Sequence, residues 1–531
     1  MAFKQPDPDK NLLFYGDNLE VLRESIATES VDLVYLDPPF NSNRAYSVMF
    51  KDKSGHESQA QMEAFDDTWT WTHESEALFV DLLNTSATPN RVKDALEAFR
   101  RLLGDNDVLA YLVMMTARLV ELHRVLRPTG SVYLHCDPTA SHYLKILLDS
   151  IFGSWNYRNE IIWSYGGRGA KAVARQFPRN HDVILAYSKQ QGLQTYNRQF
   201  LTRVLTQDEA RARSFRIDEE GRWFKTAPRG DYTDTSIEGL DREGRIHWTR
   251  SGKARVKYFL RTDTSGRVME DVLIGDVWSD IPDAMHMGNE RLGYPTQKPI
   301  KLLERIVNAA SEPGALVLDP FCGCGTAIDA AEKLNRRWIG IDVTTLAIDL
   351  IDARLRHTYG ETIRDTYEIL GIPRDVEGAR ALFGRSPFEF ERWCVMQLDG
   401  QPNEKQVGDK GIDGVIRFPI DAKGNSDRIL VSVKGGSTNP GDVRDLIGTI
   451  ESQGACMGVF VSMNEPTRGM LDAANHSGTY RHPSNGQSFP KVQIISVAGL
   501  LAGQRPLMPP TLLPYFQAQP RVKVEESERL F

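Results

Sequence analysis

The chain begins with a short apolar run, Leu12-Leu-Phe-Tyr15, closed by Gly16-Asp17-Asn18 and followed by a helical stretch from Leu19 to Ser25. A second run, Val31-Asp-Leu-Val-Tyr-Leu36, ends at Asp37-Pro-Pro-Phe40. Runs this short, rich in β-branched and aromatic residues and bounded by turn residues, predict strands buried on both faces. Residues 73 to 127 are helical in pattern: Leu109, Leu112, Val113, Leu119, Leu122 and Leu126 form an apolar stripe that stops at Arg127-Pro-Thr-Gly130. Ser131-Val-Tyr-Leu-His135 predicts the next strand, with a helix through Leu144, Leu147, Leu148 and Ile151 after it. Asn159–Ser164 and His181–Tyr187 continue the sheet. From about 192 to 290 short strands and turns replace the alternation, which resumes with a helix over 300–311, a strand ending at Asp319, a helix over 326–334 and a strand at Trp338–Asp342. Strands alternating with helices predict an α/β fold with a doubly wound, Rossmann-like parallel sheet carrying an insertion.

Open parallel sheets bind ligands at the carboxyl ends of their strands, so the residues there carry the candidate chemistry. At Asp37-Pro-Pro-Phe40 two prolines stop the ladder by fixing φ and removing donors. Asp37 and the Pro38 carbonyl can accept both hydrogens of an exocyclic amino group, Pro39 stiffens the turn, and Phe40 offers a π-face to an unstacked base. The alternative is a strand followed by a plain Pro-Pro turn. Asp17 reads either as an acceptor for an adenine amino group or as a helix N-cap. In Asp319-Pro-Phe-Cys-Gly-Cys-Gly-Thr326, glycines 323 and 325 make a tight turn into a helix and let the backbone approach a ligand. Asp342 stands at the tip of the following strand, about twenty residues beyond Gly323, where an acid grips ribose hydroxyls. The third glycine of a dinucleotide fingerprint is missing, because Asp329 and Ala330 occupy the helix start. That favours a nucleoside cofactor without phosphates over NAD. His135 and Asp137, also at a strand end, read either as functional groups or as satisfied polar groups.

A length of 531 residues predicts two to four domains, and 41% hydrophobic with 25% charged residues is the balance of soluble globular protein. The net charge of −7 means that any nucleic-acid contact must come from local basic patches. One such patch lies in the insertion: Arg245 to Arg261 contains no acid and interleaves Arg245, Arg250, Lys253, Arg255 and Lys257 with Trp248, Tyr258 and Phe259. It reads as a nucleic-acid face, with a solvated β-hairpin as the alternative. Five cysteines, at 136, 322, 324, 394 and 456, form neither a disulfide framework nor a zinc set and read as reduced thiols. No apolar run approaches membrane-spanning length and the N-terminus lacks a signal-peptide pattern, so a cytoplasmic protein of a bacterium, archaeon or phage, without membrane contact, is expected.

Taken together, Asp37-Pro-Pro-Phe40 ahead of Asp319-Pro-Phe-Cys-Gly-Cys-Gly325, with Gln297-Lys-Pro299 just before it, resembles the S-adenosylmethionine-dependent DNA amino-methyltransferases. The order of motifs is that of the permuted β-class, shared by type III modification subunits. The resemblance spans roughly residues 10 to 360. It implies that S-adenosylmethionine is held by Asp319, Phe321, Gly323, Gly325, Thr326 and Asp342, with Asp17 near its adenine and Lys298 close by. It implies double-stranded DNA as substrate, residues 192–290 as target-recognition region, and adenine N6 rather than cytosine N4 as acceptor, because the tetrapeptide begins with an acid.

The domain boundaries read as 1–365 for the methyltransferase, 366–380 for a linker and 381–531 for a second domain. There, a helix over 387–395, Gly411-Ile-Asp413-Gly and Val433-Lys434 fall in an α-β-β-α-β-β order. This resembles the Mrr-like branch of the PD-(D/E)xK nuclease fold. The resemblance implies a Mg²⁺-dependent endonuclease with Asp413 as metal ligand, Lys434 beside the attacking water and Glu391 as a second carboxylate. Ser432 stands where Glu or Gln is usual and is a poor ligand, so a DNA-binding module without chemistry is the competing reading. A restriction-modification role is expected, with a second copy of the chain or a restriction or translocase subunit as candidate partners.

Overall fold

The computed structural model describes residues 9–39, 45–51, 57–66, 71–137, 140–165, 180–282, 297–398, 400–403, 411–420, 426–483 and 486–509. Two compact units divide the chain: residues 1–195 with 279–531, and Tyr196–Trp278.

The first unit is built on a large sheet. Its strands are β1 (Asn11–Tyr15), β2 (Val31–Leu36), β3 (Leu126–Cys136), β4 (Tyr157–Ser164), β5 (His181–Ser188), β6 (Leu316–Asp319), β7 (Arg337–Asp342) and β8 (Tyr367–Leu370). They lie side by side in the order β4-β5-β3-β2-β6-β7-β1-β8. All neighbours from β3 to β8 pair in parallel, whereas β5 runs antiparallel to both β3 and β4. The predicted α/β sheet is therefore present, with antiparallel strands added on one side. Leu33, Val34 and Leu36 of β2 are completely buried, as a strand covered on both faces requires.

Helix α1 (Asn18–Ser25) follows β1, and α2 (Asp107–Val125) precedes β3. The stripe in α2 predicts one buried face, yet Tyr111, Met115 and Ala117 between the stripe positions are buried as well. Helices His73–Asn84, Asn90–Leu103 and Ser141–Phe152 pack on it, so burial extends around most of its circumference. The predicted stop at Arg127–Gly130 is also displaced. Strand β3 already begins at Leu126, and a register shift opposite Val31–Leu33 absorbs the Pro-Thr-Gly segment.

Helices α3 (Ile300–Ala310), α4 (Thr326–Lys333) and α5 (Thr345–Tyr359) complete the second half of the sheet. The stretch read as a linker, 366–380, instead contributes β8, paired to β1 from Asn11↔Tyr367 to Phe14↔Leu370. Tyr367 and Leu370 are buried, and their strand covers an edge that β1 would otherwise expose. Helices α6 (Val376–Arg385) and α7 (Pro387–Met396) then lead to a smaller sheet. In it β9 (Gly414–Pro419) is antiparallel to β10 (Ser426–Lys434). Strands β11 (Met457–Ser462) and β12 (Val492–Ser496) continue in parallel, and α8 (Pro440–Ser452) connects β10 to β11.

The second unit carries two small antiparallel sheets. One has Ile246–Trp248, Ala254–Phe259, Trp223–Pro228 and Arg216–Ile217; the other has Arg261–Thr262, Val268–Leu273 and Phe200–Leu205. Each closes over a small core, one around Trp223 and Val268, the other around Ile237, Ile246 and Val256.

Candidate functional site

Sheet order decides where the strand ends meet. Strands β2, β6, β7 and β1 are successive neighbours and parallel, so their carboxyl ends stand in a row. Those ends carry Asp37, Asp319, Asp342 and Gly16-Asp17. A cavity of about 300 Å³ opens there and is lined by all of them, together with Lys298, Phe321, Gly323 and Thr326. Pro39 lines it too. Phe40 lies outside the described residues. Two segments almost 300 residues apart in sequence thus share one crevice.

The turn after β6 behaves as its glycines demand. Gly323 and Gly325 have φ of +46° and +74°, the left-handed region that side chains with a Cβ resist. A Cβ on Gly325 would also lie 2.6 Å from Ile351 Cγ1, so close packing on α5 is a second reason for glycine there. The Gly323 N–H donates to Asp342 Oδ2 at 2.9 Å, while the Thr344 N–H and hydroxyl donate to Oδ1 at 2.9 and 2.8 Å. Burial pushes the Asp342 carboxyl up, against the pull of these three donors. Asp319 is driven well above the usual carboxylate range, first by burial; the Phe321 N–H at 3.1 Å opposes this and the charges of Asp37 and Asp342 add to it. Cys322 and Cys324 are buried, and burial raises both thiols, in keeping with close packing.

Asp17 does what its N-cap reading says: its Oδ1 accepts from the Leu19 N–H at 2.8 Å and the Glu20 N–H at 3.3 Å. Its other oxygen is taken by Arg118 at 2.8 Å. Arg118 and Asn18 were not singled out from the sequence, and both shape the cavity. Asn18 donates to the Pro320 carbonyl at 2.7 Å and accepts from Arg118 Nε, tying the β1 turn to the β6 turn. Burial lowers the Arg118 pKa, and Asp17 offsets part of that. The available signal was an arginine inside the apolar run from Val108 to Val120 of α2.

Lys298 lines the same cavity and has a further contact there. Its Nζ lies 2.8 and 2.6 Å from the two oxygens of Asp37, with only 11% and 16% of the two side chains exposed. The lysine is thus a clamp on the Asp-Pro-Pro carboxylate at the cavity wall.

On the second unit, Arg255 and Lys257 alternate with buried Val256 and so share the opposite face. Arg255 donates to the Thr226 hydroxyl and carbonyl, and Lys257 lies over the Phe224 ring. Arg245, Arg250 and Lys253 are exposed, Arg250 and Lys253 at the hairpin tip. Trp248 is 52% exposed and donates to Asp241. The six residues are therefore neighbours spread over a tip and a face.

In the nuclease-like constellation the polar groups are engaged in local hydrogen bonds. Asp413 Oδ2 accepts from the Val433 N–H at 2.6 Å, and Ser432 donates to the Gly411 carbonyl at 2.8 Å. Burial, with the charges of Asp413 and Glu391, raises the buried Cys394 thiol. Among the described residues, however, no group of three His, Cys, Asp or Glu could hold a metal ion. Magnesium and a metal-ligating Asp413 thus find no support. One Asp413 oxygen is engaged by a backbone donor, and a hydroxyl stands where a further ligand is usual.

Comparison with known proteins places the two halves. The model of the N6/N4 DNA methylase family matches residues 31–352. Type II methyltransferase M.EcaI of Enterobacter cloacae is 27% identical over 365 residues, 65% of this chain and 69% of that protein. DNA adenine methyltransferase YhdJ of Escherichia coli is 23% identical over 333 residues, 63% and 78% of the two chains. Type II methyltransferase M.BamHI of Bacillus amyloliquefaciens is 24% identical over 349 residues, 66% and 58%. Residues 387–492 match the family described as NACHT-associated inactive restriction endonuclease 1. With 31–352 spanning more than half of the sequence, the chain belongs to the N6/N4 DNA methylase family and is an S-adenosylmethionine-dependent DNA methyltransferase.

Proposed function

We propose that the chain methylates the exocyclic N6 of adenine at a specific site in double-stranded DNA, and that its C-terminal domain acts without cleaving. The observation that carries the reading is the row of four strand ends around one cavity, with Asp37 on its wall.

The cavity suits a nucleoside sulfonium. Its volume is at the small end of ligand pockets. The partly shielded Asp342 keeps acceptor capacity for ribose hydroxyls. Asp329, in the first turn of α4, is buried and paired with Arg354 at 2.6 Å, so that helix start does not invite a pyrophosphate. Asp319, Phe321, Gly323, Gly325, Thr326 and Asp342 would hold the cofactor, with Asp17 serving through the geometry of the β1 turn. When bound, S-adenosylmethionine supplies an electrophilic methyl group.

The chain's own residues then act on the base. Asp37 and the Pro38 carbonyl accept the amino hydrogens, which turns the nitrogen lone pair out of conjugation. Lys298 fixes the Asp37 carboxylate, and Phe40 stacks on the extruded ring. Arg245, Trp248, Arg250, Lys253, Arg255 and Lys257 contact DNA, chiefly its phosphates. Tritium transfer from labelled S-adenosylmethionine to oligonucleotides containing only adenine or only cytosine as amino base tests this. Label in adenine, lost in Asp37→Ala, is expected; label in cytosine N4 overturns the base assignment. Plasmid left intact by the wild type with Mg²⁺ supports the non-cleaving domain, and cleavage abolished by Lys434→Ala refutes it.

A further inference from the structure

A buried polar chain leads away from the cavity and has no part in the roles above. Tyr35 and Asp37 project to the same side of β2, two residues apart, and both line the cavity. The Tyr35 hydroxyl is 3.1 Å from His135 Nδ1, and His135 Nε2 is 3.1 Å from Asp182 Oδ2. His135 is 0% exposed, with Tyr35 and Trp163 packed edge-on against its ring. The Tyr165 hydroxyl donates to Asp182 Oδ1 at 3.4 Å. The Asp182 side chain keeps 18% exposure, so the chain runs from cavity to the edge of solvent.

Its polarity follows from donor chemistry. A carboxylate only accepts, so Nε2 carries the proton; in a neutral ring Nδ1 is then the acceptor, and Tyr35 donates to it. Burial, joined by the charges of Asp37, Asp319 and Asp182, pushes the Tyr35 hydroxyl well above its ordinary range, so it remains a donor. Burial raises the Asp182 carboxyl, but the hydrogen bond from His135 and the charge of Lys298 oppose it, and the group is held below the usual range. Packing alone does not call for three linked ionisable groups inside a sheet, where unsatisfied members are costly.

We propose that Tyr35, His135 and Asp182 form a proton-exit relay for methyl transfer. The proposal rests on the reading of Asp37 as the amino-group acceptor. When the exocyclic nitrogen is methylated, its lone pair forms the new N–C bond and the electron pair of the broken C–S bond stays on sulfur. The nitrogen is left cationic and must shed one proton. That proton passes first to Asp37, the acceptor already holding it, and from there to the Tyr35 oxygen on the same cavity wall, while the Tyr35 proton passes to His135 Nδ1. The resulting imidazolium is neutralised by Asp182, the Nε2 proton leaves through the Asp182 carboxylate to water, and the chain re-orients before the next turnover.

Two measurements test it. In the cofactor-free protein labelled with ¹⁵N-histidine, the resonance lost in His135→Gln is expected to show a protonated Nε2 and a bare Nδ1; a protonated Nδ1 overturns the relay. In turnover with labelled cofactor, Tyr35→Phe is expected to lower kcat at least about tenfold, with cofactor Kd changed less than about twofold. A solvent deuterium isotope effect absent from the wild type should appear. The Tyr35→Phe/His135→Gln double variant should be no slower than the worse single variant, as members of one relay behave. Wild-type kcat in Tyr35→Phe overturns the proposal. If Asp37→Ala is inactive while Tyr35→Phe is fully active, the relay alone fails; if Asp37→Ala is fully active, the reading of the site fails with it.

Discussion

Lys298→Met separates two roles for one lysine. The sequence placed Lys298 with the cofactor; the structure puts it on the wall of that cavity, with its ammonium 2.6 and 2.8 Å from the Asp37 oxygens. Unit charges about 2.7 Å apart attract by roughly 6 kcal/mol at an effective dielectric near 20, before desolvation is subtracted. Removing one partner of a buried pair costs roughly 3–5 kcal/mol, because the other charge is left unpaired. Side-chain exposures of 11% and 16% place this pair at the lower end. If Asp37 must be held for the amino group to be gripped, about 3 kcal/mol is withdrawn from the transition state, or a rate loss of about a hundredfold. Methionine keeps the length and apolar stem of lysine, so packing is preserved. Single-turnover transfer from tritiated S-adenosylmethionine gives the rate, and calorimetry gives cofactor affinity. The expected result is the hundredfold drop in rate with Kd nearly unchanged. An unchanged rate with strongly weakened cofactor binding would refute the clamp and restore the lysine to the cofactor.

The raised carboxyl of Asp319 predicts a pH signature. Native burial favours its protonated form, so its contribution to stability is full below the unfolded value of about 3.9 and is lost as pH rises through the higher native value. Asp319→Asn, which keeps an acceptor for the Phe321 N–H, should therefore raise the melting temperature near neutral pH, and the gain should shrink on acidification; a gain independent of pH contradicts this. Gly325→Ala combines a left-handed φ with a contact against Ile351, and should cost about 2–3 kcal/mol in denaturant unfolding while weakening cofactor binding. Wild-type stability in that variant would show that the turn relaxes freely. Arg250→Ala and Lys253→Ala, on exposed positions, should each flatten the salt dependence of DNA binding by about one unit of slope without altering stability. Unaltered slopes would remove the hairpin tip from the DNA contact.

Local pattern was enough for much of this protein. Short apolar runs at Leu12–Tyr15 and Val31–Leu36 could only be buried strands, and the glycines of 323 and 325 could only make a sharp turn, because these constraints act within a few residues. The motifs at Asp37 and Asp319 pointed to one chemistry for the same reason: each needs particular side chains at fixed spacing. What the sequence could not provide is adjacency. That β2 lies next to β6, bringing Asp37 and Asp319 to one crevice, is decided by the sheet order. That Tyr367–Leu370 is an edge strand rather than a linker depends on an open edge of β1, invisible in a four-residue run. Arg118, Asn18 and the Tyr35–His135–Asp182 chain acquire their partners only through contacts between elements far apart in sequence. The same holds for Asp413, one oxygen of which accepts from the distant Val433 amide. Side-chain identity sets what a group can donate or accept; three-dimensional packing decides which partner consumes it, and so whether it is left for chemistry.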